Sequence, residues 1–215
     1  MITIALTGAA ALSAVAAIAA DWEERRHRSF FLLKPLTTLL VIGIAASIAW
    51  SGPYAQAVLA ALALSLLGDV FLMYGDGARA SDRAFVAGLA SFLLAHLAFV
   101  WAFAQGLRAP DLPGWLAAVV FYAAALLFVL LPRAGALKLP VLVYCLVLAA
   151  MVFAAAARHQ TLGDAASLRA VLGALLFMLS DSLLAWRRFG GRYRHAQALI
   201  LSTYWGAIGL IAGSI

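Results

Sequence analysis

The sequence predicts an all-α polytopic membrane protein: a bundle of eight transmembrane helices forming one domain over residues 1–215. Three observations carry this expectation. Hydrophobic residues make up 66% of the chain and charged residues only 11%, against about 45–50% and about 25% in soluble domains. The charges sit in short clusters and leave eight apolar segments of near the length, about 20 residues, that crosses the hydrocarbon core. The connections are short and marked by Gly, Pro, Asp and Arg, with no stretch long enough for a soluble domain.

Taken in order, the first segment runs over 2–20. No basic stretch precedes it, and a charged stop, D-W-E-E-R-R-H-R, follows it, so it reads as a first span rather than a cleaved leader. The second, 34–50, opens on Lys34-Pro35, and proline suits the first turn of a helix. The third, 55–74, contains Asp69, and the fourth, 83–104, contains His96. The fifth covers 113–131, and the sixth, 138–157, holds the lone cysteine, Cys145. A single cysteine in apolar surroundings reads as a small filler and excludes an intramolecular disulfide. The seventh, 167–186, contains Asp181, and the eighth, 195–213, contains Tyr204. Trp50, Trp101, Trp115 and Trp186 lie near span ends, as an aromatic belt predicts.

The net charge of +6, with 15 Lys+Arg, would suggest nucleic acid in a soluble protein. Here the basic residues gather between spans, where they meet anionic lipid, and no nucleic-acid partner is expected. One set of loops holds Arg25, Arg26, Arg28 and Lys34, then Arg79 and Arg83, then Arg133 and Lys138, then Arg187, Arg188, Arg192 and Arg194. The opposite set holds only Arg108, Arg158 and Arg169. The positive-inside rule makes the first set cytoplasmic and puts both termini on the non-cytoplasmic side. Asp69 and Asp181 then lie at similar depth near the cytoplasmic ends of their spans, in one layer with Lys34, which points to a shared site.

An ionised carboxylate in hydrocarbon costs several kcal/mol or more, so each intramembrane aspartate is a functional-site candidate. Ser65 lies one turn before Asp69 on the same face, and Gly68 beside it permits close approach of a helix or ligand. Lys34 either snorkels to the head groups or acts as a cation toward a phosphate or a nearby aspartate. Thr38 is one turn further along its face. His96, well inside the fourth span, is hydrogen-bonded structure or a catalytic or proton-relay group, and Tyr204, mid-span in the last, is a packing residue or lines the same cavity. Asp76, Asp82, Asp111 and Asp164 fall in loops and read as solvated groups or helix caps. No hydrolase, zinc, P-loop or dinucleotide motif occurs. No His/Cys/Asp group has metal-ligand spacing, so neither metal nor cofactor is expected.

The blocks L-K-P-L-T-T opening one span, S-L-L-G-D-V-F-L-M in the next, F-V-A-G-L-A-S-F-L-L-A-H in the fourth, and L-S-D-S-L-L-A with Y-W-G near the end resemble the YhhN/TMEM86 family over nearly the whole chain. The resemblance implies an eight-span lysoplasmalogenase-like hydrolase of a bacterial inner membrane. It would cleave the vinyl ether bond of a lysophospholipid substrate within the bilayer, giving a fatty aldehyde and glycerophosphocholine or glycerophosphoethanolamine. Lys34, Asp69 and Asp181 match the family's polar positions, with Ser65, Thr38, His96 and Tyr204 as candidate substrate contacts. Vinyl ether hydrolysis needs one carboxylic acid and one carboxylate. Asp69, in the more apolar segment, is expected as the acid, Asp181 as the base, and Lys34 as the phosphate holder. The alternatives are a proton-coupled transporter and another intramembrane aspartate hydrolase acting on a different lipid or a peptide. Against the peptide case, the G-x-G-D of intramembrane aspartyl proteases meets Leu66 where its first glycine belongs.

Overall fold

A computed structural model describes residues 1–21, 28–49, 51–75, 81–107 and 112–215. Arg25, Arg26, Trp50, Asp76, Arg79, Arg108 and Asp111 fall outside the described residues. The described residues form eight α-helices and no strand. They are α1 (Ile2–Ala20), α2 (Arg28–Ile48), α3 (Pro53–Gly75), α4 (Asp82–Ala104), α5 (Leu116–Leu130), α6 (Lys138–Leu162), α7 (Ala165–Ala185) and α8 (Ala196–Ala212). Seven, with the short turns that extend α5, α6 and α7, are long and apolar enough to cross a membrane, and α8, at 17 residues, is shorter. The chain is an integral multi-pass membrane protein.

Two expected boundaries differ. The second span was expected to open at Lys34-Pro35, but α2 already includes Arg28 and carries Pro35 in its interior. The apolar run Ser29–Leu33 is helix-compatible, and an interior proline removes only one backbone hydrogen bond, which membrane helices tolerate. The sixth span was expected to end at residue 157 and runs to Leu162. Arg158, His159, Gln160 and Thr161 do not break a helix. The stop is Gly163, whose φ of 67° makes it a left-handed cap. Asp164 then caps α7, accepting from the Ser167 backbone N–H at 2.7 Å.

Six helices close into a ring: α2 packs on α3, α3 on α4, α4 on α6, α6 on α7, α7 on α8, and α8 back on α2. Helix α1 lies outside the ring against α2 and α8. Helix α5 lies outside against α6, with further contact to the turn 186–190 that follows α7. Small residues set the close contacts. A Cβ on Gly75 would come within 2.4 Å of the Phe85 backbone nitrogen, and one on Gly173 within 2.9 Å of the Ala207 carbonyl oxygen. Such approach suits helices that associate by packing, because lipid leaves no hydrophobic force between them. Trp101, Trp115 and Trp186 face outward from the bundle.

Candidate functional site

Each helix of the ring sends one polar or ionisable side chain inward from a segment that is otherwise apolar: Lys34, Asp69, His96, Tyr144, Asp181 and Tyr204. All six are buried. Helical spacing adds Thr38, one turn beyond Lys34.

Asp69 is held entirely by donors. Its Oδ1 lies 3.3 Å from Lys34 Nζ. Its Oδ2 accepts from Thr38 Oγ1 at 2.7 Å and from the Tyr204 hydroxyl at 2.8 Å. Trp205 Nε1 donates to Thr38 Oγ1 at 3.3 Å. The indole N–H can only donate, so it fixes the threonine oxygen as acceptor there and leaves its proton for Asp69. Helices α2, α3 and α8 thus converge on one carboxylate.

Asp181 has a different shell. Tyr144 donates its hydroxyl to Oδ2 at 2.5 Å, and His96 Nε2 stands 3.5 Å from the same oxygen. Neither ring nitrogen of His96 makes a hydrogen bond, although the residue is fully buried. The imidazole is wedged edge-on between aromatic rings, 5.2 Å from Tyr144 and 4.6 Å from Phe177, centroid to centroid. Phe177 also packs on Tyr204 at 5.5 Å, and Phe92 touches both. An aromatic cluster therefore ties the Asp181 half of the site to the Asp69 half. Gly68 makes this possible, since a Cβ there would meet the Phe92 ring at 2.6 Å.

Both carboxyl groups line one cavity of about 30 Å³, with Lys34, Arg187, Gln197, Ser180 and Tyr204 as further polar lining. Phe30, Leu72, Met73, Phe92, Leu184, Ile200 and Leu201 complete its walls. A water needs about 10–15 Å³ of such space, so the cavity has room for a water molecule. Arg187 donates to the Gln197 side-chain oxygen and is the more exposed of the two lining cations.

Of the residues singled out from sequence, Lys34, Thr38, Asp69 and Tyr204 form one bonded group, and His96 stands beside Asp181, 3.5 Å away without a hydrogen bond. Ser65 joins neither: its hydroxyl donates to the Ala61 carbonyl of its own helix at 2.9 Å. Sequence reasoning missed Tyr144, Gln197 and the inward role of Arg187. A tyrosine in the middle of L-V-Y-C-L and a lone amide in A-Q-A-L-I were the available signals. Among the described residues no group of three or more His, Cys, Asp or Glu could hold a metal ion.

A family model described as the YhhN family matches residues 29–215. Lysoplasmalogenase TMEM86B of Homo sapiens is 35% identical over 189 residues, covering 86% of this chain and 76% of its own. Lysoplasmalogenase TMEM86B of Sus scrofa is 35% identical over 188 residues, covering 86% and 74%. Lysoplasmalogenase TMEM86A of Bos taurus is 33% identical over 163 residues, covering 74% and 65%. No solved structure matches the chain.

Proposed function

Because the chain belongs to the YhhN family, we propose that it is a lysoplasmalogenase-like hydrolase that cleaves the vinyl ether of a single-chain ether phospholipid. The products are a fatty aldehyde and glycerophosphocholine or glycerophosphoethanolamine. The observation that carries this reading is the pair of buried carboxyls on one small cavity, each with a different set of partners.

The reaction assigns a role to that difference. A proton is added to the vinyl carbon remote from the ether oxygen, and the neighbouring carbon becomes an oxocarbenium ion. Water adds to that carbon and loses a proton. The hemiacetal collapses to the aldehyde and the free glycerol hydroxyl, so one water is consumed and the protons balance. The acid must carry a proton, and the base must be ionised. Asp69, facing an ammonium and two hydroxyl donors, suits the ionised role: it steadies the cation and takes the proton from water. Asp181, with a tyrosine hydroxyl and no lysine or arginine among its hydrogen-bonding partners, suits the acid. This reverses the assignment that segment hydropathy alone favoured. Lys34 then serves Asp69 rather than the substrate phosphate. Arg187 is the better phosphate ligand, since a guanidinium at the more exposed side of the cavity can bind two phosphate oxygens at once.

The site sits toward the ends of α2, α3 and α7 that carry the basic clusters. Asp82 at the start of α4 pairs with Arg188 just past α7 at 2.5 Å, which fits those two ends sharing a side. We take that side as cytoplasmic, in a bacterial inner membrane, with both termini opposite.

Purified protein assayed with a lysoplasmalogen tests the reading. Aldehyde release from the wild type, lost in both Asp69→Asn and Asp181→Asn, is expected. Near wild-type release from both variants would sink the mechanism.

A further inference from the structure

Asp181 borders two spaces. One is the polar cavity. The other is an apolar groove of about 60 Å³ between α4, α5, α6 and α7. Its walls are side chains such as Leu89, Leu126, Leu127, Leu148 and Met178. Its polar groups, Tyr144, Asp181 and Ser182, are immediate neighbours of one another. Tyr144 already donates to Asp181, and the Ser182 hydroxyl donates to the Met178 carbonyl. The groove therefore offers a guest hydrocarbon contact and, in its wall, one carboxyl. Leu89, Leu126 and Leu127 are half-buried, so the groove is open along one side rather than sealed in the core. Its outer wall is α5, which lies outside the ring.

Resting on the hydrolase reading above, we propose that this groove is the chain subsite of the enzyme. It takes the single aliphatic chain of the lipid whose head group occupies the polar cavity, so that the bond joining the two parts falls at Asp181. The partition of polarity supports this. Lys34, Arg187 and both aspartates line one space, and Asp181 alone of these lines the other. Asp181 and Leu184 are common to both, so the carboxyl stands where the two spaces adjoin. Two chains of a diacyl lipid would need two such grooves meeting at Asp181.

A lipid chain is already in hydrocarbon, so moving it from bilayer to groove yields little hydrophobic free energy. The groove works by position. It aligns the vinyl carbons with the acid, and alignment is a large lever on rate. Narrowing it should therefore change which chains react more than how tightly the lipid binds.

Two measurements test this in lipid nanodiscs with the full chain. The first compares wild type with Leu127→Trp and Leu148→Trp on lysoplasmalogens of long and short chain. Either variant should shift the ratio of short- to long-chain kcat/KM by about tenfold or more toward short chains. An unchanged ratio in both would overturn the subsite. The second uses a saturated ether lysophospholipid carrying a photoactivatable diazirine in mid-chain, which needs no turnover. Crosslinks should map to residues 126–130 of α5 and 141–148 of α6, and should fall in the tryptophan variants. Crosslinks confined to other faces of the bundle, while vinyl ether cleavage is intact, would overturn the subsite alone. Crosslinks in the groove of a protein that cleaves no vinyl ether would uphold the subsite as a lipid-chain site and overturn the hydrolase reading alone.

Discussion

Lys34 and Asp69 form an ion pair, Nζ to Oδ1 at 3.3 Å, with side chains only 7% and 2% exposed. Two hydroxyl donors, Thr38 and Tyr204, add to the shell of the carboxylate. The pair is a fixed charge arrangement at the centre of the ring. Removing one partner of a buried pair costs about 3–5 kcal/mol, because the other charge is stranded. Lys34→Met is therefore expected to lower thermal stability sharply, while Lys34→Met combined with Asp69→Asn recovers much of the loss. Both forms should be inactive. Thermal unfolding in detergent, read beside aldehyde release, checks this. A double variant no more stable than Lys34→Met would show that the pair is not the unit of stability described here.

His96 presents the opposite case. Two buried ring nitrogens without hydrogen bonds are a cost to the fold, about 1–3 kcal/mol for each unsatisfied group. Phenylalanine has the same planar shape and would keep the edge-on contacts with Phe177 and Tyr144. His96→Phe is expected to unfold at the same or a higher temperature than wild type and, if the imidazole relays a proton to Asp181, to lose at least about 100-fold in kcat. Full activity in a stabilised His96→Phe protein would reduce the residue to packing.

The two tyrosines differ in what their loss leaves behind. Tyr144→Phe removes the hydrogen-bond donor that holds Asp181 Oδ2. Tyr204→Phe leaves Asp69 with Lys34 and Thr38. The first is expected to lower kcat about 100-fold, the lower end for acid–base partners, and the second about tenfold, the size of one hydrogen bond among several. Steady-state rates at saturating substrate separate the two, and equal losses would contradict the division of roles between the aspartates.

Much of this site was legible because charge in an apolar span is conspicuous. Asp69, Asp181 and Lys34 stand out against their segments, and orientation by basic loops put them in one layer. Tyr144 did not stand out: a lone tyrosine in a span is most often packing, and only the fold brings α6 beside α7. Arg187 was absorbed into a basic cluster, where its spacing gave no hint that the turn after α7 aims it inward. Ser65 shows the converse case. Its spacing from Asp69 was read correctly, but a serine on a helix can bond its own backbone four residues back, and this one does. The start of α2 was misjudged for a related reason. Pro35 is a local signal for a helix start, and the apolar run before it overrode that signal.

The contact between α2 and α3 has a consequence for how the chain enters the membrane. A lone lysine or aspartate at the centre of an inserting helix costs about 2.5–3.5 kcal/mol. These two charges lie on successive spans joined by a short turn and meet across a few ångströms. Delivered as a hairpin, α2 and α3 expose lipid to a neutral pair rather than to two ions. The lysine paired with the Asp69 carboxylate is thus expected to ease the insertion of the span that carries it. Truncating synthesis between the two helices should strand Lys34 at the point of insertion.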